Sequence, residues 1–291
     1  MAVRTAPSLD RVGRGAPLPA SDRPGLRRPS PVAVVLVTLS GAALAAYVWV
    51  ALSRMGSPGA LEWMEGGVAG HVGRVLAGHS VYGPPSLSFT PYLYTPLFYY
   101  VGAAFSAVLG AGLWPLRLVS FLSSIALVAA IGRLVWWDTR SRWAAAGAAG
   151  LFLACFRLGG AWLDLARVDT LCLALLMWSL VLARGATGAR RAALAGFLAV
   201  LAVMTKQVAL VPALAVIPHL AIGGRRRAAA YSLTLGAGLA AATVLLQVTS
   251  RGWFLYYALR LPLHHRIVTA AVGRFWTVDL VSHLWPALVV V

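Results

Sequence analysis

Long apolar runs are the feature that most constrains what this chain can fold into. The first, from Pro31 to Ser53, contains no charged residue, and about 20 such residues are enough to cross a bilayer as a helix. Further apolar runs lie at 95–112, 116–136, 143–162, 168–184, 192–205, 207–222, 228–249 and 278–291. Sixty per cent of the 291 residues are hydrophobic and 11% are charged, whereas about a quarter are charged in a soluble domain. The sequence therefore predicts an all-α, polytopic integral membrane helix bundle.

The excess of positive charge falls between the apolar runs. The net charge is +17, but the arginines form short clusters in the loops 138–142, 184–191 and 223–227. Nucleic-acid binding would need a basic face on a soluble domain, so it is not indicated. Short basic loops between spans lie in the cytosol. Residues 1–30 are rich in Pro, Gly and Arg, which predicts a disordered tail on the same cytosolic side.

The run at 95–112 decides the expected topology. If it crossed the membrane, all three basic loops would lie outside, against the usual distribution of arginine in membrane proteins. We therefore expect it to lie along or partly within the outer surface, in a first outer loop over 55–115 that carries juxtamembrane helices. Residues 31–291 then form one module in the cytoplasmic membrane, with a second outer loop at 250–277. The last apolar run has no closing basic loop, which suggests the N-terminal module of a longer protein.

This topology gathers most of the acidic residues at the outer face, together with Lys206, the only lysine. Charged groups at membrane depth usually face a cavity or a partner. We therefore expect a polar cavity that opens outward. The acidic residues expected there are five of the eight in the chain, namely Glu62, Glu65, Asp164, Asp169 and Asp279.

Glu65 opens a segment with helical spacing. An apolar stripe runs along 65–78, with Glu65 on its side and both His71 and Arg74 away from it. A carboxylate in a first helical turn also has a structural explanation, because the helix dipole favours it there. Glu65 is thus either a functional group aimed at the cavity or a helix-stabilising one.

Other polar residues near the ends of apolar runs have two explanations. Arg167, Asp169 and Lys206 either fix helix ends at the membrane interface or form a phosphate-binding group. His264 and His265 lie in an aromatic-rich loop that forms either an interfacial belt or a cradle for a lipid phosphate or a sugar. No zinc, disulfide or nucleotide-binding pattern is present, although carboxylates beside Arg167 could hold a divalent metal ion.

Taken in order, these segments resemble a known family. The first span is followed by "MEGGVAGHVGRVLAGHSVYG", "YTPLFYY", "RLVSF", "ARVDTL", "AVMTKQVALVPA" and "GWFLYYALRLPLHH". This arrangement resembles the polyprenol-phosphate-sugar-dependent glycosyltransferases of the GT-C fold, which include the bacterial aminoarabinose transferases and the protein O-mannosyltransferases. The resemblance runs from about residue 31 to the end of the chain.

The resemblance implies a membrane enzyme that takes a sugar from a polyprenyl-phosphate donor on the outer face. Glu65 matches the position of the catalytic base, and Glu62 is a second carboxylate one turn earlier. The best-known relatives have Asp at the base position, often in an Asp-Glu pair, and "WME" departs from that pair. Tyr94 lies where relatives carry Lys-Pro-Pro or Tyr-Pro-Pro. Thr95 replaces the Lys or the first Pro of that segment, so a phosphate-binding lysine is absent there, and Lys206 is expected to supply part of its role.

In the reaction so implied, a carboxylate removes the proton of an acceptor hydroxyl as its oxygen attacks the anomeric carbon, with inversion. Arg167, Lys206 and Arg117 would stabilise the departing lipid phosphate. The acceptor would be a glycan, a lipid or a protein, and membrane lipids would surround the chain. Two alternatives stay open: a multi-span transporter or flippase, and an inactive lipid-binding membrane module.

Overall fold

A computed structural model describes residues 30–266, 268–282 and 285. Every regular element in these residues is helical, which confirms the all-α prediction. The predicted tail at 1–30, apart from Ser30, and most of the apolar run at 278–291 lie outside the described residues. The main helices are α1 (Pro31–Met55), α2 (Trp63–Leu76), α3 (Leu97–Leu109), α4 (Leu113–Thr139), α5 (Arg142–Ala154), α6 (Val168–Arg184), α7 (Ala189–Thr205), α8 (Leu210–Ile222) and α9 (Arg225–Thr249).

A 3-10 turn, Gln207–Ala209, joins α7 to α8. Beyond α9 the predicted outer loop at 250–277 contains short helical segments. The segments that follow α9 are Trp253–Leu255, Tyr256–Arg260, Leu261–Leu263, Thr269–Arg274 and Phe275–Val281.

Three helices among the described residues, α1, α4 and α9, are long and apolar enough to cross a membrane. They support the predicted membrane character of the chain. The helices α6 and α7 have 17 residues each, which gives about 25 Å at 1.5 Å per residue. That length is slightly less than the roughly 30 Å of a hydrocarbon core.

The helix predicted from the apolar run at 143–162 is shorter than that run. It ends at Ala154, and the chain then turns through Gly160 and Ala161, whose φ angles are 84° and 56°. These left-handed conformations cannot continue a right-handed helix. The connection from 155 to 167 therefore returns the chain to the start of α6.

Close packing between the helices relies on small residues. The helix α5 packs between α1 and α4, α6 lies between α4 and α7, and α7 also packs against α9. A Cβ atom on Gly150 would lie 2.2 Å from Ser40, and one on Gly196 would lie 2.7 Å from the carbonyl oxygen of Tyr231. Small residues let neighbouring helices approach in this way.

The pair α2 and α3 covers one end of this bundle. The two helices pack against each other and against α4, and α3 also contacts α7. The hydroxyl of Thr95 donates to the carbonyl of Val203 near the end of α7, at 2.7 Å. We call this the α2 end: α4 and α6 begin there, and α1 and α7 end there. It is the part of the fold that carries the candidate site.

Candidate functional site

Four charged side chains predicted from the sequence meet at the α2 end. Arg167 contacts Glu62 through Nη1 and Oε2 at 3.0 Å, and its Nε donates to Oδ2 of Asp169 at 3.1 Å. Lys206 donates from Nζ to the other oxygen of Asp169, at 2.6 Å. We call Glu62, Arg167, Asp169 and Lys206 the polar cluster. Its members come from the start of α2, the start of α6 and the end of α7.

Arg167 holds the polar cluster together. It is the N-cap residue of α6, and its guanidinium carbon lies 4.1 Å from the ring centroid of Trp162. Its side chain is only 7% exposed. A guanidinium that stacks on an indole while contacting two carboxylates has a fixed orientation. The stacking partner, Trp162, is the last residue of the apolar run at 143–162, and no sequence pattern indicates its contact with Arg167.

A cavity of about 320 Å³ lies directly beside the polar cluster. Lys206 forms part of its wall and lies over the ring of Tyr94, with Nζ 5.3 Å from the ring centroid. Mostly apolar walls with a few polar groups are typical of small-molecule sites. The lining residues are Trp63, Met64, Tyr92, Leu93, Tyr94, Lys206, Gln207, Val208, Pro262 and His265.

The two predicted histidines lie in different places. His265 is exposed and lines the cavity beside Lys206. The ring of His264 instead contacts the carbonyl of Arg260 through Nδ1, at 2.7 Å, and faces a separate cavity. The structure therefore brings Tyr94 and His265 to the site and leaves His264 outside it.

Glu65 is completely buried behind the polar cluster. Its Oε1 accepts hydrogen bonds from Nε of Arg117 and from the backbone N–H of Ala166, both at 2.9 Å. Its Oε2 accepts from Nη2 of Arg117 at 2.8 Å and from the N–H of Leu61 at 2.7 Å. Burial acts to raise the pKa of Glu65, but the bonds from Arg117 and the two backbone groups outweigh it and hold the pKa below its ordinary value. Glu65 is thus a charged carboxylate with four donors and no access to a substrate in this conformation.

Arg117 uses all of its hydrogen-bonding capacity inside the protein. A guanidinium has five N–H donors. Two go to Glu65, and Nη1 and Nη2 supply three more to the carbonyls of Arg54, Ser57 and Gly59, at 2.7–2.9 Å. The pair therefore joins α2 and α4 to the end of α1. The phosphate-binding role expected for Arg117 has no free donor to carry it.

Glu62 is the more available of the two carboxylates predicted to be catalytic. Its Oε2 caps α2 by accepting from the N–H of Met64 at 3.0 Å and also contacts Arg167. Its Oε1 receives no hydrogen bond from the described residues, and the side chain is 14% exposed. Glu62 therefore keeps an oxygen that is free to accept a proton.

Sequence reasoning placed His71 on the wrong side of α2. His71 was expected away from the apolar stripe, but it is 1% exposed, because the rings of Phe89, Tyr92 and Tyr99 cover it at centroid distances of 4.6–4.8 Å. Its Nδ1 lies 2.6 Å from the carbonyl of Gly67, and its Nε2 accepts from the N–H of Tyr92 at 2.9 Å. His71 thereby fixes the segment that lines the cavity.

Two further contacts near the site were not predicted. Gln207, next to Lys206, donates to the carbonyls of Leu93 and Ala258 and so joins the segment that contains Leu93 to the helical segment that follows α9. Asp164 pairs with Arg54 at 3.3 Å; burial raises the pKa of Asp164, although Arg54 opposes that effect. Asp279, expected with the other acidic residues, lines a different cavity between α5 and α6.

A metal site has no obvious ligand set. Within residues 30–266, 268–282 and 285 no group of three or more His, Cys, Asp or Glu side chains is close enough to hold an ion. A divalent metal therefore stays a prediction.

No protein-family model, curated protein or solved structure matches the chain.

Proposed function

We propose that the chain is a membrane glycosyltransferase of GT-C-like fold. It would move a sugar from a polyprenyl-phosphate donor to an acceptor hydroxyl of a glycan, lipid or protein. The observation that carries the proposal is the polar cluster, in which two cations and two carboxylates from distant helix ends meet beside a cavity of about 320 Å³. Such a group can hold an anionic leaving group and accept a proton at the same place.

The α2 end would face outward from the cytoplasmic membrane. The opposite end carries the basic loops 138–142, 184–191 and 223–227, which the positive-inside rule assigns to the cytosol. In this arrangement α1 and α4–α9 cross the bilayer, while α2 and α3 lie at its outer surface. A polyprenyl-phosphate donor could then enter the site from the surrounding lipid.

Arg167 and Lys206 would bind the phosphate of the donor. Lys206 lines the cavity and shares Asp169 with Arg167, and this carboxylate spaces the two cations and orients their N–H groups. An arginine supplies a planar fork of donors, and a lysine supplies a mobile point charge. Together they would stabilise the negative charge that develops on the departing phosphate oxygen.

Glu62 would be the general base in place of Glu65. The acceptor O–H proton passes to Oε1 of Glu62 as the acceptor oxygen forms its bond to the anomeric carbon. The bond from that carbon to the phosphate oxygen breaks, and its electron pair leaves with the polyprenyl phosphate. Single displacement of this kind inverts the anomeric carbon. Glu65 and Arg117 would support the reaction indirectly by fixing α2.

A carrier function is the main rival and has less support. A transporter usually has its substrate site near the middle of the membrane, where it can open to either side. In this chain the polar cluster and its cavity lie at one end of the bundle. We therefore place the enzyme ahead of the transporter.

The direct test supplies purified chain in proteoliposomes with radiolabelled polyprenyl-phosphate sugars and with a cell-envelope extract as the source of acceptor hydroxyls. We expect release of polyprenyl phosphate from at least one donor, and a higher donor KM for Lys206→Gln. Arg226→Gln, which removes one positive charge from the opposite end, serves as the control and should behave as wild type. Movement of intact labelled donor across the bilayer without sugar release would instead support the carrier.

A further inference from the structure

Arginine and tryptophan side chains stack at the end of the bundle opposite the α2 end. The guanidinium carbon of Arg133 lies 4.5 Å from the ring centroid of Trp136 and 4.2 Å from that of Trp137. Arg140 lies 5.1 Å from Trp136, and Arg191 lies 5.6 Å from Trp137. We call these five residues the arginine–tryptophan cluster. It joins the last turns of α4 to the first turn of α7.

Negative charge is nearly missing around this cluster. The loops 138–142, 184–191 and 223–227 contain a single acidic residue, Asp138, and it pairs with Arg184. No carboxylate among the described residues contacts Arg133, Arg140 or Arg191. The Nε of Arg191 is buried and has no hydrogen-bond partner there. Within the described residues, the cluster thus holds oriented cations that have no carboxylate partner.

The backbone leaves room for this stacking. A Cβ atom on Gly185 would lie 2.5 Å from the ring of Trp137 and 2.6 Å from Nη2 of Arg191. Any larger residue at position 185 would push the two side chains apart. Arg191 and Trp137 therefore depend on a glycine in the loop between α6 and α7.

An apolar surface continues from the cluster along α7. Leu194 and Phe197 follow Arg191 at intervals of three residues, which keeps them on one side of the helix. They are 50% and 51% exposed. A ligand that met both features would have an anionic head and an apolar tail.

We propose that the arginine–tryptophan cluster binds the headgroup of an anionic phospholipid, with an acyl chain along Leu194 and Phe197. The guanidinium group of arginine forms bidentate hydrogen bonds with phosphate oxygens, and tryptophan is enriched at the membrane interface. The fixed guanidinium planes distinguish this site from a diffuse basic surface. The site is separate from the polar cluster, so the proposal does not depend on the glycosyltransferase assignment.

The test measures lipid binding by native mass spectrometry of the full chain in detergent. Phosphatidylglycerol and phosphatidylcholine with identical acyl chains are titrated in parallel. We expect wild type to prefer phosphatidylglycerol by about tenfold or more, since each basic residue near an anionic surface contributes about 1 kcal/mol. Arg133→Gln/Arg191→Gln should lose most of this preference. Arg225→Gln/Arg226→Gln removes the same charge from exposed positions at the same end and should keep most of it.

Equal losses in the two double variants would overturn the proposal in favour of diffuse charge, and so would an unchanged preference in Arg133→Gln/Arg191→Gln. Displacement of phosphatidylglycerol by an equal concentration of glycerol phosphate would assign the site to soluble phosphates and also overturn it. If the glutamine variant is not monodisperse, Arg140→Gln replaces it. Arg140 is exposed, and its loss should still lower the preference several-fold.

Discussion

Glu65 and Arg117 form a bidentate ion pair between residues 52 positions apart in sequence, with N–O distances of 2.9 and 2.8 Å. Both side chains are buried, at 0% and 1% exposure. The pair connects the first turn of α2 to the second turn of α4 and also contacts the backbone at Leu61 and Ala166. It fixes the position of α2, and with it Glu62 at the edge of the polar cluster.

Breaking this pair should destabilise the chain strongly. Glu65→Gln leaves Arg117 charged and buried without a counter-charge, which costs on the order of 3–5 kcal/mol. Arg117→Gln should cost a similar amount. The double variant should cost clearly less than the sum, because the buried charges are then removed together. Thermal unfolding of the detergent-solubilised variants measures the three costs, and simple additivity would contradict a coupled pair.

His71 should make the stability of the chain fall in mild acid. Burial, helped by nearby Arg74, lowers the pKa of His71, although the bond to Gly67 opposes the shift. Below about pH 6.5 the unfolded chain therefore binds a proton at His71 more readily than the folded chain does. The free energy of unfolding then falls by up to about 1.4 kcal/mol for each pH unit. The stabilisation from neutral His71 is present above that pH and is lost as the pH falls towards the folded pKa.

The check compares melting temperatures between pH 7.5 and 5.5 for two histidine variants. His71→Gln should remove much of the acid-dependent loss of stability. His79→Gln is the matched control, because His79 is exposed near the end of the same helix. A wild-type pH dependence in His71→Gln would show that another group is responsible.

Gly67 should be required for the shape of the cavity. A Cβ atom at this position would lie 1.8 Å from the hydroxyl oxygen of Tyr92, which lines the cavity. Gly67→Ala should therefore displace Tyr92 and cost about 1–3 kcal/mol, as overpacking does. It should also raise the donor KM in the transfer assay.

Gly70 offers the control for that substitution, since nothing lies within 4 Å of a Cβ atom there. Gly70→Ala should leave the KM unchanged and add about 0.5–1 kcal/mol of stability, because alanine favours the helix. Similar KM changes in the two alanine variants would show that the position of Tyr92 does not determine the donor KM.

The proposed sidedness predicts where single cysteines can be labelled. Cys155 and Cys172 are first replaced by alanine, and a cysteine is introduced at Ser86 or at Arg140. In intact cells a membrane-impermeant maleimide should label position 86 and spare position 140. Labelling of position 140 but not of position 86 would contradict the proposed topology and place the α2 end in the cytosol.

The sequence was most informative where charge and periodicity were strong. The run at 168–184 coincides with α6, and the sequence predicts Glu62, Arg167, Asp169 and Lys206 as site residues, which the structure brings together. The residue that each charged side chain contacts could not be predicted from the same patterns. Arg117 lies near a helix start like Arg167, yet Arg117 is buried against Glu65 and Arg167 contacts Glu62 and Asp169 instead.

That difference arises from tertiary packing. Residues 54–59 fold over Arg117 and take three of its hydrogen bonds, and no local pattern indicates such a turn. His71 escaped prediction for a related reason. Its cover comes from Phe89 and Tyr92 in an irregular segment and from Tyr99 in α3, which the periodicity of α2 does not reveal.

The most direct test compares sugar transfer by wild type, Glu62→Gln and Glu65→Gln in proteoliposomes, with the melting temperature of each variant measured in parallel. We expect Glu62→Gln to fold normally and lose about 10²- to 10⁴-fold in turnover, the usual contribution of a general base. Glu65→Gln should lose stability as well as activity. Wild-type turnover by Glu62→Gln, or a fully stable but inactive Glu65→Gln, would contradict the assignment of Glu62 as the base.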